Sequence, residues 1–145
     1  MAAYSLTKAS VLLSSGGATN GGTAAVAINA GEFLYLDPLT SKLKLAIAGD
    51  AGTLTEATVV GMALDDAGIG QPVRYATSGT VTATAGAAFV AGAATAILIL
   101  SATAGKCCIA SEFAESRYLT VIGWVTSPTT FVLNIVRTNT EYLLA

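Results

Sequence analysis

The side chains able to do chemistry are few in this chain. It holds nine Asp and Glu, seven Lys and Arg, two Cys and no His. Without His, Ser-His and Cys-His nucleophiles cannot be built, because no side chain with an ordinary pKa near neutrality remains to act as base. Carboxylate pairs are the acid–base chemistry left open, and such pairs can come together from distant strands. None of the acids lies in an active-site motif, so the chain is expected not to be an enzyme. A hydrolase with two converging acids is the alternative.

Metal and nucleotide chemistry fare no better. Asp65-Asp66 precedes a loop with Gly68, Gly70 and Pro72. Two adjacent carboxylates suit Ca²⁺, but no further oxygen ligands follow at regular spacing, so the loop reads as solvated. Cys107 and Cys108 are neighbours, which on a strand point to opposite faces and cannot bridge without strain. They read as small apolar fillers, and with no other Cys and no His a soft-ligand metal site is excluded. Gly105-Lys106 lacks a Gly five residues earlier, where Leu100 stands, and Cys107 replaces the Ser or Thr of a phosphate loop. Gly68-Ile69-Gly70 lacks the third Gly of a dinucleotide fingerprint, where Val73 stands. No cofactor is expected. Trp124, the single Trp, is assigned by default to the core; exposed, it would be a platform for stacking on sugar.

The elements that would carry these residues are strands. Ala30 to Leu64 reads as strand, tight turn, strand, polar loop, strand, and a second copy begins near Ala91. Residues 44–63 align with 106–125 at an offset of 62 with six identities in twenty: Lys44, Ile47, Ala48, Thr58, Val59 and Gly61 recur as Lys106, Ile109, Ala110, Thr120, Val121 and Gly123. In Lys42-Leu43-Lys44-Leu45 apolar and charged residues alternate, the period of a strand with one wet face. Phe33–Leu36 and Ile97–Leu100 are short apolar runs suited to buried strands. Between the strands of the first hairpin, Asp37-Pro38-Leu39-Thr40-Ser41 carries turn chemistry, and Ser101 to Gly105 holds the same place in the second. Val73–Ala76 and Thr80–Thr84 read as two strands joined at Ser78-Gly79. Tyr118–Val125 and Thr130–Val136 form the clearest hairpin, turning at Ser127-Pro128, with Arg137–Ala145 as a tail that packs on the core or on a neighbour.

These elements make about nine strands and no helix, hence an all-β fold: a small β-sandwich or barrel of two duplicated β units packed about a pseudo-two-fold. Residues 25–145 form one β domain with repeats at about 30–66 and 91–127, and residues 1–24 form an extended N-terminal arm containing the low-complexity loop Ser14 to Gly22. Tyr4, Leu6, Leu12 and Leu13 make the arm apolar enough to lie on a partner.

Composition bears on partners. Hydrophobic residues make up 53% and charged residues only 11%, with a net charge of −2. So little charge implies that much of the surface meets protein, in an oligomer or assembly. Basic residues are scattered, which leaves nucleic acid without an electrostatic footprint. No polybasic amphipathic helix suggests a membrane surface, and the first twenty residues carry no signal-peptide pattern. The uncharged stretch Tyr75–Gly105 is broken by Gly79, Gly86 and Gly92, so it is not expected to span a bilayer.

Gly31-x-x-Leu34-Tyr35-Leu36-Asp37, Lys44-Leu45-Ala46, Val59-Val60-Gly61-Met62-Ala63-Leu64, Gly70-Gln71-Pro72-Val73, Ser78-Gly79-Thr80, Leu100-Ser101-x-x-x-Gly105-Lys106 and Val121-Ile122-Gly123 follow in order. Over roughly residues 30–136 this pattern resembles the capsid decoration, or cement, proteins of tailed bacteriophages. The resemblance implies a small β-rich protein without catalytic activity, made in the host cytoplasm and often trimeric. Such a protein sits on the outside of the virion capsid and bridges neighbouring major capsid protein subunits. Tyr4, Leu6, Leu12 and Leu13 are then the expected capsid contacts. A glycan-binding or host-adhesion module on a virion is the second expectation.

Overall fold

A computed structural model describes residues 12–13, 17–48, 55–82, 97–101, 104–109, 117–127 and 130–142. The fold is all-β. The described residues form ten strands and no helix: β1 (Leu12–Leu13), β2 (Ala18–Thr23), β3 (Phe33–Asp37), β4 (Lys42–Leu45), β5 (Val59–Ala63), β6 (Pro72–Thr82), β7 (Ile97–Leu100), β8 (Cys107–Ile109), β9 (Arg117–Ser127) and β10 (Thr130–Tyr142). They join in one curled, antiparallel sheet in the order β4-β3-β5-β6-β10-β9-β7-β8, with β1 and β2 also on β6.

Everything hangs on β6. Tyr75 pairs with Asn20 of β2 and Ala63 of β5, so those two strands lie on opposite edges of it. Ser78 pairs with Ala18 of β2 and Asn134 of β10. Strands β5 and β10 therefore share one edge of β6, one after the other, while β1 and β2 take the other edge. The sheet forks there into two arms, β5-β3-β4 and β10-β9-β7-β8. Ser78-Gly79 was expected to turn the chain. It lies instead within an eleven-residue strand, where β6 changes partner from β5 at Ala76 to β10 at Ser78 and Gly79 follows at φ 121°. Backbone pairing on both edges keeps the chain running straight on.

The duplication is present in the ladder. Leu34 pairs with Leu45 and Gly61 in the first unit, as Leu98 pairs with Ile109 and Gly123 in the second. Each unit has a bulge at the next step, skipping Val60 in β5 and Ile122 in β9. The offset of 62 holds for β5 and β9 only. The paired positions of the hairpins differ by 64, so Leu45, not Ile47, is the counterpart of Ile109, and the chain from Ile109 to Gly123 is two residues shorter than that from Leu45 to Gly61. Lys44 and Ile47 match Lys106 and Ile109 in sequence without sharing their place in the fold, and Ala110, the partner of Ala48, lies outside the described residues. Turn geometry follows the 64-residue offset: Ser41 has φ 56° and its counterpart Gly105 has φ 74°. As expected of Asp37, its carboxylate accepts the Leu39 N–H at 2.9 Å and its carbonyl accepts the Ser41 N–H at 2.8 Å.

The expected pseudo-two-fold is not the relation between the units. A two-fold would bury the same face of each in their shared core. The shared core takes Phe33, Tyr35, Val59 and Met62 from the first arm, Ala76 and Val81 from β6, and Leu98, Leu100, Cys107, Ile122, Val125, Phe131 and Leu133 from the second arm. By ladder position, Leu98, Cys107 and Val125 match Leu34, Leu43 and Ala63, which lie in a different cluster. The units thus turn opposite faces toward each other. This follows from the fork, which folds one arm over the other. Cross-links lace them: Gly105 N–H to the Ala46 carbonyl at 2.7 Å, Phe33 N–H to the Gly105 carbonyl at 3.0 Å, Ala48 N–H to the Ser101 carbonyl at 3.1 Å, and the buried Thr120 hydroxyl to the Ala57 carbonyl.

The second cluster backs the first arm. Ala24, Ile28 and Ala67 cover Leu34, Leu43, Ala63, Val73 and Tyr75. The segment after β2 is tied across that face by Ala25 N–H to the Leu43 carbonyl at 2.9 Å and by reciprocal Ile28–Ala67 bonds at 2.9 Å. The described part of the expected arm is strand, with β1 and β2 paired to β6 of the same chain. Gly22 is what lets β2 close down, since a Cβ there would meet Leu43 Cδ1 at 2.9 Å. The hairpin of β9 and β10 is present and longer than expected. Residues 137–142 of the expected tail continue β10, with Arg137 on Thr120 and Tyr142 on Arg117.

Candidate functional site

Four of the described acids, Glu32, Asp37, Asp65 and Asp66, hold hydrogen bonds or ion pairs within the chain. Asp65 takes Arg74 in a fork, Nε to Oδ2 at 2.9 Å and a terminal guanidinium nitrogen to Oδ1 at 3.1 Å. Asp66 accepts the Ala30 N–H at 2.9 Å. The pair expected to be loop solvation therefore ties the loop after β5 to β6 and to the covering segment. Glu32, buried, accepts the Asn29 N–H at 2.7 Å and lies 3.8 Å from Lys106 Nζ, an ion pair between the two units. Among the described residues no cluster of His, Cys, Asp and Glu could hold a metal ion.

Two carboxylates do meet near one group. Burial, then Glu56 and Asp37, push the Tyr35 phenol up, so it stays protonated at neutral pH. Lys44 answers them with an ammonium 2.8 Å from Asp37 Oδ2. Its hydrogen bond, then that of the Leu39 N–H, holds Asp37 below its ordinary value, and Lys44 is raised in turn. A depressed carboxylate pKa stabilises the fold above the unfolded value and loses that contribution as pH falls through the folded one. Asp37→Asn should therefore be less stable than the parent at neutral pH, and the gap should close below about pH 4. Denaturant midpoints at neutral and acid pH check this; an unchanging gap would assign the loss to packing.

The feature without an internal purpose lies on the outer face of the second arm. In register across four strands stand Thr80, Val132, Trp124 and Ile97. Beside them Val121 pairs with Val136, and Asn134 lies between Val132 and Val136 on β10. Trp124 is 40% exposed, Ile97 50% and Val136 49%. The default of a core Trp is thus overturned. β9 is apolar on both faces, and Val125 and Ile122 are the residues that turn inward. In the first unit, Phe33 and Met62 occupy the ladder positions of Ile97 and Trp124 and are fully buried. Period-2 alternation alone does not say which face is covered.

A second, smaller feature is an open depression lined by Leu36, Pro38, Thr55, Thr58 and Val60. Its lining is neutral, and Leu39, 93% exposed, projects from the adjoining turn. Cys107 is a buried filler, as expected. Of the expected contact residues, Tyr4 and Leu6 lie outside the described residues. Leu12 and Leu13 pair with Thr82 and Val81 of β6. Among the described residues no helix is long and apolar enough to cross a membrane.

No family model matches the chain, and no curated protein matches its sequence.

Proposed function

We propose that this chain is a structural virion protein, a capsid decoration protein that binds the outer surface of a phage head and bridges major capsid protein subunits. The observation that carries the reading is the exposed apolar set of Ile97, Trp124 and Val136, with half-buried Val132 among them, on a cross-laced all-β body. Apolar residues kept outside call for a protein surface to cover them. The ordered resemblance over residues 30–136 supplies the class of partner, and the engagement of Glu32, Asp37, Asp65 and Asp66 in bonds within the chain favours adhesion over catalysis. Self-association, as a trimer by resemblance, belongs to the same reading, as does a site on the virion exterior without nucleic acid, membrane or cofactor. A protein that binds only the expanded lattice stabilises it by its binding free energy, summed over many copies.

Mixing purified chain with expanded heads that lack it should give saturable binding and raise their disruption temperature. Heads that neither bind the chain nor gain stability would end the reading. Within it, Tyr4→Ser with Leu6→Ser should weaken head binding at least about tenfold if the arm carries the contact. Point changes are preferable to deleting residues 1–15, which would also remove β1 from the edge of β6.

One observation favours a second reading. Trp124 is exposed on a sheet face with Thr126 bonded to Thr130 at 2.7 Å and Asn134 nearby. An aromatic platform among hydroxyl and amide groups suits a glycan. Saturable sugar binding lost in Trp124→Ala would support it.

A further inference from the structure

We propose that Asn20-Gly21 in β2 is a site of spontaneous covalent modification, where the chain's own backbone displaces the Asn20 amide and leaves aspartate or isoaspartate. The Gly21 nitrogen, on losing its proton, attacks Asn20 Cγ. A bond forms between that nitrogen and Cγ, the Cγ–Nδ2 bond breaks, and the amide leaves as ammonia. Water then opens the five-membered imide at either of its carbonyls. Opening at Cγ restores the backbone with a carboxylate side chain at position 20. Opening at the backbone carbonyl routes the chain through Cγ, which lengthens β2 by one methylene where it pairs with β6. Water is the only reagent required.

The sequence narrows the choice first. Of Asn20, Asn29, Asn134 and Asn139, Asn20 alone is followed by Gly, which has no side chain to shield the attacking nitrogen. The structure then brings the reacting atoms together. The Gly21 N–H donates to Asn20 Oδ1 at 2.8 Å. A carbonyl bond adds about 1.2 Å, so Cγ lies within about 4 Å of that nitrogen. Nor is the nitrogen spent on the sheet. The Leu64 N–H bonds the Arg74 carbonyl at 2.9 Å, so Arg74 turns its backbone groups toward β5. Gly21 stands opposite Arg74 on the other edge of β6. The two are therefore a non-hydrogen-bonded pair, and the Gly21 N–H points off the outer edge of β2. Closing the imide also requires Asn20 to leave the strand conformation, and β2 can yield there. Ala18, Thr19, Asn20 and Gly21 are exposed and add nothing to either core cluster, so local opening is cheap. The other Asn residues lack this combination. After Asn29, the Ala30 N–H is held by Asp66 Oδ1 at 2.9 Å. Asn134 and Asn139 precede the branched Ile135 and Thr140 on β10.

The full chain, held for weeks in mildly alkaline buffer at body temperature, should gain about 1 Da and release an equivalent of ammonia. Ion exchange should resolve the product, which carries one negative charge beyond the parent's net −2. Fragment masses should place the change at Asn20, and enzymatic methylation should detect isoaspartate there. The rate should rise with pH, because the deprotonated nitrogen is the nucleophile. Asn20→Ser, with no amide to lose, should not react. Gly21→Ala should react at least about tenfold more slowly, since a side chain hinders the approach. A Cβ at Gly21 meets the Val73 carbonyl oxygen at 3.6 Å, an ordinary contact, so this variant keeps the fold. A folded chain that stays unreacted while a free peptide spanning Gly17 to Ala24 converts would overturn the proposal, because β2 would then be locking the nitrogen away. So would earlier reaction at another Asn, or equal rates in the parent and Gly21→Ala.

Discussion

Gly123→Ala is expected to cost about 3 kcal/mol or more of folding free energy. A Cβ at Gly123 would be driven into the carbonyl oxygen of Val132 on the paired strand, with Asn134 N at 3.2 Å behind it. Those atoms are backbone of β10, held by β9 on one side and β6 on the other, and they cannot rotate aside as a side chain can. Gly61, its counterpart, meets the carbonyl of Ala76 on β6 and Tyr75 Cδ2 at 2.5 Å. Both glycines stand beside the shared bulge, where β5 crowds β6 and β9 crowds β10. Gly61→Ala should therefore also destabilise by more than about 2 kcal/mol. Gly70→Ala is the control: with φ 83° and nothing within 4 Å, its cost is only that of left-handed backbone, about 1–2 kcal/mol. Urea midpoints of the three variants give the order. A Gly123→Ala chain as stable as Gly70→Ala would mean that β9 and β10 are not packed as described.

The recurrence of Gly61 as Gly123 was visible in the sequence, and it is the part of the repeat that survives in three dimensions. Much else was legible for local reasons. The alternation in Lys42–Leu45 and the turn residues from Asp37 to Ser41 act within a few bonds of themselves, so their geometry follows from their types. What was hidden depends on partners far along the chain. Ala18–Thr23 looks like a linker because Thr, Asn and Gly have no side-chain reason to be a strand. It is one because the open edge of β6 offers backbone groups, which every residue can pair. Ser78-Gly79 carries hairpin chemistry, yet β2 and β10 bind the segment from both sides and hold it in line. The surface suffers the same limit. Trp124 and Val125 are both apolar, and only the fork at β6 decides which of them faces inward. Tyr4 and Leu6, chosen for being apolar near an end, carry no such positional argument.

Phe131→Ala should be the most damaging truncation, costing about 3–5 kcal/mol. Phe131 is fully buried on the first strand of the second arm, paired with Val81 of β6 and Val125 of β9. The core that contains it draws Phe33 and Met62 from the first arm and Ile122 and Leu133 from the second. Emptying its site therefore weakens the packing between arms as well as within one. The loss should then be felt by the whole chain at once. Circular dichroism, which reports all strands, and emission of Trp124, which reports the second arm, should shift to the same lower denaturant midpoint in a single transition. Ile28→Ala makes the contrast, since Ile28 belongs only to the cluster behind the first arm. It should cost about 2–5 kcal/mol by the same physics while leaving the Trp124 spectrum of the folded state unchanged. If Phe131→Ala instead splits the two probes, so that Trp124 emission moves and the bulk of the strand signal does not, the arms are separate folding units. The cross-links from Gly105 to Ala46 and from Thr120 to Ala57 would then be too weak to couple them.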